Sequence, residues 1–152
     1  MFSIRQDDLS GEDVRALLAI HLAGMAETTP PEHVFALDLS GLRTPNITVW
    51  TLRDDGALAG ICALKALGDG TGEIKSMRTH PDHLRKGVAA ALLGHILDEA
   101  AMRGYRRVSL ETGVGAGFEP ALALYRKHGF ANGGPFSDYA PSPFNQFLHL
   151  LL

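Results

Sequence analysis

The spacing of hydrophobic positions changes period several times along the chain, and each change marks an element. Ile74, Ser76 and Arg78 alternate with Glu73, Lys75, Met77 and Thr79, the period-two pattern of a half-buried strand. His80-Pro81-Asp82 ends that pattern, because Pro81 has no N–H to donate and restricts the residue before it. From Gly87 the period becomes helical. Ala89, Leu92, Leu93, Ile96, Leu97 and Ala100 form one stripe, and His95, Asp98, Glu99 and Arg103 lie off it. Between strand and helix sits Leu84-Arg85-Lys86-Gly87-Val88-Ala89, a short basic turn that opens directly onto the helix.

The flanking segments read in the same way. A first strand is expected over Phe2 to Arg5, then a helix with Ser10 as N-cap and Glu12 and Asp13 in its first turn. Val14, Leu17, Leu18, Leu22 and Met25 would be its buried stripe. Pro30-Pro31 ends it and allows a second short helix from Glu32 to Leu39. Residues 46–53 and 57–67 are rich in β-branched and apolar side chains, and Asp54-Asp55-Gly56 between them is a hairpin signal. Gly68 to Gly72 turns the chain into the strand at Glu73, which completes an antiparallel meander. A strand at 106–112 follows the central helix, so a crossover pairs it in parallel with 73–79. A glycine-rich link at 113–117 leads to a helix over 119–128, with Pro120 in its first turn and Gly129 as its stop. Gly133-Gly134-Pro135 interrupts the chain, 136–143 reads as loop, and 145–151 as a closing strand.

Composition narrows the function classes. With 152 residues the chain reads as one domain, long enough to bury a core. Fourteen Lys+Arg against 17 Asp+Glu give a net charge of −3, which argues against a general nucleic-acid surface but not against a local basic pocket. Cys62, the only cysteine, lies in an apolar run and reads as a core thiol. No signal-peptide pattern or bilayer-length apolar run is present, so a cytoplasmic location and no membrane partner are expected. His80 and His83 lack the spacing of a helix-face ligand pair, and no metal is expected.

The turn at 84–89 suits an anion. The first N–H groups of a helix have no partner in the chain, and the helix dipole adds positive charge there. Gly87 and Ala89 keep side chains clear, and Arg85 and Lys86 supply charge. Alone, a solvated basic corner explains the same residues.

In its wider context the segment resembles the central motif of the Gcn5-related N-acetyltransferases (the GNAT family), with a pyrophosphate loop of Arg/Gln-x-x-Gly-x-Gly/Ala. Gly87 and Ala89 match its small positions after His80-Pro81-Asp82, and Leu84 departs from its first. Ala121-x-x-Leu124-Tyr125-x-x-x-Gly129-Phe130 is similar to the second recurring pattern of that family, and the likeness runs from about residue 57 to 131. The resemblance implies an α/β (α+β) fold: a mixed, mainly antiparallel sheet, helices on both faces, and an acetyl-CoA cleft between splayed parallel strands. It implies backbone contacts to acetyl-CoA from Met77, Arg78 and Thr79 and a pyrophosphate site formed by Arg85, Lys86, Gly87, Val88, Ala89 and Ala90.

For catalysis it implies Tyr125 as general acid, with Glu73, slightly favoured, or Glu111 as general base. Each of these carboxylates could equally be a sheet-edge group paired with Lys75 or Arg107. Phe118 stands where an asparagine often binds the cofactor. An acceptor pocket is expected between the first two helices, where His21, Glu27, His33 and Asp38 could line it or lie on the surface. The function implied is acetyl transfer from acetyl-CoA to a primary amine of a small molecule, with homodimer formation left open. A non-catalytic acyl-CoA-binding module, a protein N-acetyltransferase and a dinucleotide-binding protein are the rivals. The last of these lacks the Gly-x-Gly-x-x-Gly spacing.

Overall fold

Seven strands form one continuous sheet in the computed structural model, which describes residues 1–152. They are β1 (Phe2–Gln6), β2 (Ile47–Asp54), β3 (Ala57–Ala66), β4 (Thr71–Thr79), β5 (Arg107–Gly113), β6 (Ala131–Gly133) and β7 (Asn145–Leu151). Their spatial order is β1-β2-β3-β4-β5-β7-β6. Only β4 and β5 run parallel, joined through the crossover helix α3 (Val88–Met102), whose place is preceded in the chain by α1 (Glu12–Thr28) and α2 (Leu39–Leu42). The last helix, α4, spans Glu119–Lys127 and ends at Gly129, whose φ of 99° lies in the left-handed region. The mixed, mainly antiparallel sheet with helices on both faces is therefore present.

Two apolar layers sandwich the sheet. Leu92, Leu93 and Ile96 of α3 and Leu122 of α4 pack with Cys62, Leu64, Ile74 and Leu110 on one face. On the other, Val14, Leu17 and Leu18 of α1 and Leu42 of α2 pack with Val49, Ile61 and Ala63. Cys62 and its two neighbours thus point to opposite layers, as strand pleating requires.

Three local expectations are corrected. Ser10 does not cap α1. Its N–H and hydroxyl both bind Asp8 Oδ1, at 3.0 and 2.6 Å, and Gly11 occupies the cap position without a side-chain bond. No helix spans Glu32 to Leu39. Pro31–His33 makes one 3-10 turn, 34–38 has no regular secondary structure, and Asp38 then accepts from Gly41 N–H at 2.9 Å to start α2. The aromatic residues of that segment find partners across the molecule instead, His33 on Phe144 and Phe35 on Tyr139, with ring centroids 4.8 and 5.2 Å apart. The strict alternation along β4 also fails. Ile61 pairs with Arg78 and Ala63 with Lys75, so Cys62 alone faces both Ser76 and Met77. This is a β-bulge, with Ser76 at a left-handed φ of 56°. Its effect is to put Ile74 and Met77, three residues apart, against the same core layer.

The bulge coincides with a parting of the strands. β4 pairs with β5 only at Thr71–Arg107, Gly72–Val108 and Glu73–Ser109. β5 continues to pair with β7 as far as Gly113. A wedge therefore opens between β4 and β5 beyond Glu73, and its apex lies in the middle of the sheet.

Candidate active site

Two clefts meet in this wedge, sharing Met25, Met77, Thr112 and Tyr125. One runs toward the N-terminus of α3 and is mostly apolar, with Leu84, Ala89, Phe118 and Leu124 on its walls. Ala91 is the first residue of α3 whose N–H bonds within the chain, to the Gly87 carbonyl at 3.0 Å. The amides of Val88, Ala89 and Ala90 before it have no backbone acceptor and face out of the helix end. Arg85 and Gly87, with φ of 63° and 83°, bend the approach so that backbone N–H groups converge there. Glycine at 87 takes that conformation without strain.

Charge around this turn is unevenly free. Lys86 Nζ lies 3.8 Å from Asp54 Oδ2 and 3.4 Å from His83 Nδ1, whereas Arg85 has no acidic partner. Phe118 is buried against the backbone of Gly113, where a Cβ would sit 2.3 Å from its ring, so it closes the cleft with an apolar surface. Leu84 is exposed at the mouth. Met77, Arg78 and Thr79 line this cleft beyond the last β4–β5 pair. The Arg78 side chain turns away to α1, donating from Nε to His21 Nδ1 at 3.0 Å and from Nη2 to the His21 carbonyl at 3.4 Å. Burial, aided by the Arg78 charge, lowers the His21 pKa to about 4, so its ring is neutral and can accept that bond.

The second cleft, of about 100 Å³, lies between the sheet and the segment that follows α1. Glu73 and Glu111, from neighbouring strands, both line it, as do His33 and Lys75. Glu73 is almost fully buried and committed to neighbours. Lys75 Nζ lies 3.2 Å from its Oε2, and the Tyr139 hydroxyl donates to the same oxygen. Lys75 also donates to the Tyr139 hydroxyl at 2.8 Å. Glu111 has no ion pair. Burial raises its pKa to about 7, against the opposing pull of Asn145 and Lys75, and Glu73 adds to the rise. A carboxylate near neutrality can both take and release protons.

Tyr125 stands at the junction of the clefts with its ring edge-on to Phe130, centroids 5.7 Å apart. Burial, then the nearby Cys62, holds its phenol above the usual range, so it is a proton donor at neutral pH. Burial likewise raises the Cys62 thiol, which leaves it without nucleophilic character. Tyr125, Glu73 and Glu111 are thus brought to one cleft from three elements. Of the four residues considered for an acceptor pocket, His33 lines it. His21 holds Arg78, Asp38 caps α2, and Glu27 is exposed elsewhere. Tyr139 was not singled out by sequence pattern. Its only local signal is an aromatic residue inside a Ser- and Pro-containing loop.

A model of the Acetyltransferase (GNAT) family matches residues 14–130. The chain belongs to the GNAT acetyltransferase family. It is similar to the uncharacterized N-acetyltransferase YedL of Escherichia coli (strain K12), with 51% identity over 152 residues covering 100% of this chain and 96% of that protein. Among solved structures it is similar to one from Klebsiella pneumoniae described as an acyl-CoA N-acyltransferase. The TM-score is 0.84 at 27% identity, with 100% of this chain and 98% of that one covered. An acetyltransferase from Bacillus subtilis in complex with CoA shares the fold, with a TM-score of 0.75, 18% identity, and coverage of 100% and 99%. The GNAT fold of this chain therefore carries its open wedge and its free helix end together, and no helix in it is long and apolar enough to cross a membrane.

Proposed function

We propose that this GNAT protein transfers acetyl from acetyl-CoA to a primary amine of a small molecule. The observation that carries the proposal is the position of Tyr125 and Glu111 on one cleft, with Tyr125 at the point where it joins the second. The unpartnered amides of Val88, Ala89 and Ala90, with Arg85 beside them, fit a pyrophosphate. The wedge beside Met77, Arg78 and Thr79 fits an extended arm that completes the broken ladder. Bound there, acetyl-CoA supplies an activated acyl group, whose carbon–sulfur bond breaks as a carbon–nitrogen bond forms to the amine.

The residues of the chain divide the proton work. Glu111 takes a proton from the incoming ammonium and releases it to solvent. Tyr125 donates the proton that the departing sulfur needs and recovers one from the second proton lost by nitrogen. One proton is released per turnover. Glu111 is assigned as base in preference to Glu73 because Glu73 is held by Lys75 and Tyr139. Residues 33–36 line one side of the acceptor cleft, whose small volume of about 100 Å³ supports a small acceptor.

The test is release of free CoA across a panel of primary amines by wild type and Glu111→Gln. Amine-dependent release that the variant loses is the expected result. Acetyl-CoA binding without release by any amine would favour a non-catalytic acyl-CoA module instead.

A further inference from the structure

Lys75 is the one lysine or arginine on the wall of the acceptor cleft, facing two carboxylates. Its side chain is only 8% exposed, so its charge and its three N–H donors must be satisfied locally. Two donors are accounted for by Glu73 Oε2 at 3.2 Å and the Tyr139 hydroxyl at 2.8 Å. The third has no acceptor in the chain. Glu73 in turn receives both Lys75 and Tyr139, so this pair is internally balanced, and Glu111 remains as the anion able to receive an ammonium. The rest of the wall combines the apolar and aromatic Met25, Val34, Phe35 and Phe144 with the polar Thr29, His33, Ser76 and Thr112.

We propose that the acceptor is an amino acid, a primary amine that also bears a carboxylate, with an apolar or aromatic side chain. Its ammonium faces Glu111, its carboxylate accepts the free N–H of Lys75, and its side chain lies against Phe35 and Phe144. This deepens the proposed function and rests on it. A plain amine leaves the third N–H of the buried Lys75 unmatched, and a carboxylate accepts it.

Matched pairs test the proposal: leucine, methionine and phenylalanine, each with its decarboxylated amine. Turnover is followed by CoA release, and binding to the CoA-loaded protein by calorimetry. Wild type is expected to favour the amino acid by at least about tenfold in kcat/KM, since a site built around a charged hydrogen bond rejects a ligand lacking it. In the doubly substituted Lys75→Met/Glu73→Gln protein, which leaves no unpaired charge, the preference should collapse toward one. Equal or greater use of the plain amines by wild type overturns the amino-acid assignment while the acetyltransferase proposal stands. Absence of turnover, with amino acids binding in preference to their amines, keeps the carboxylate site and removes the transfer reaction. Absence of turnover without such preferential binding overturns both. A preference unchanged in the double variant overturns the assignment to Lys75.

Discussion

Burial acts on Glu111 and Tyr125 in the same direction and produces opposite tools. It holds a proton on the phenol at every physiological pH and brings the carboxylate to a pKa of about 7. Activity limited by the base should therefore rise with pH through about 7, and Glu111→Gln should lower kcat/KM and remove that limb. Stability should move the other way. A carboxyl whose folded pKa exceeds its unfolded value binds more protons in the native state, so its contribution is full below pH 4.5 and is lost as pH rises through about 7. Glu111→Gln should consequently melt above wild type at pH 8, the gap closing toward pH 5. A thermal melt at both pH values checks this. Tyr125→Phe keeps the ring against Phe130 and removes only the donor. Turnover should fall by about 10²-fold, the low end for a lost general acid, with acetyl-CoA affinity and Tm unchanged. The place of Tyr125 on the cleft was legible from its motif, because its neighbours Leu124, Gly129 and Phe130 are local. The choice between Glu73 and Glu111 was not. Glu73 is engaged by a hydrogen bond from Tyr139, 66 residues away, and no local pattern reports that contact.

Among the elements, the bulge in β4 decides the most. Ser76 accepts a left-handed backbone and buries a hydroxyl with no partner, a combination that a regular strand would not tolerate. Ser76→Val places a β-branched side chain at that φ, and the strand should then lose the bulge or the fold. The expected result is a lower Tm together with loss of acetyl-CoA binding, read by melt and titration. Ser76→Gly should keep both. The turn, the crossover and the meander were all readable, since each depends on residues adjacent in sequence. What the pattern missed has two causes. His33 and Phe35 pack on the distant Phe144 and Tyr139 in place of a helix over 32–39, and Ser10 is taken by a competing local partner, Asp8, before it can cap α1.

At the level of the whole molecule, the proposed function asks a chain of net charge −3 to hold a polyanion at one basic corner. Arg85 is unpaired there, and Lys86 is shared with Asp54. Arg85→Glu should therefore weaken acetyl-CoA binding more than Lys86→Glu at low ionic strength, and both losses should shrink as salt is added. Calorimetric titration at two salt concentrations measures the difference. The wedge has a consequence for handling as well. Between β4 and β5 the sheet exposes two unsatisfied backbone edges inside one molecule, and such edges are templates for stray strands from other molecules. Under the proposed function, a cosubstrate lying along them would act as a guard as well as a reactant. Purified free of CoA, the protein should cloud at a lower temperature than with it, by more than the shift in Tm accounts for, and light scattering during a slow thermal ramp would register the difference.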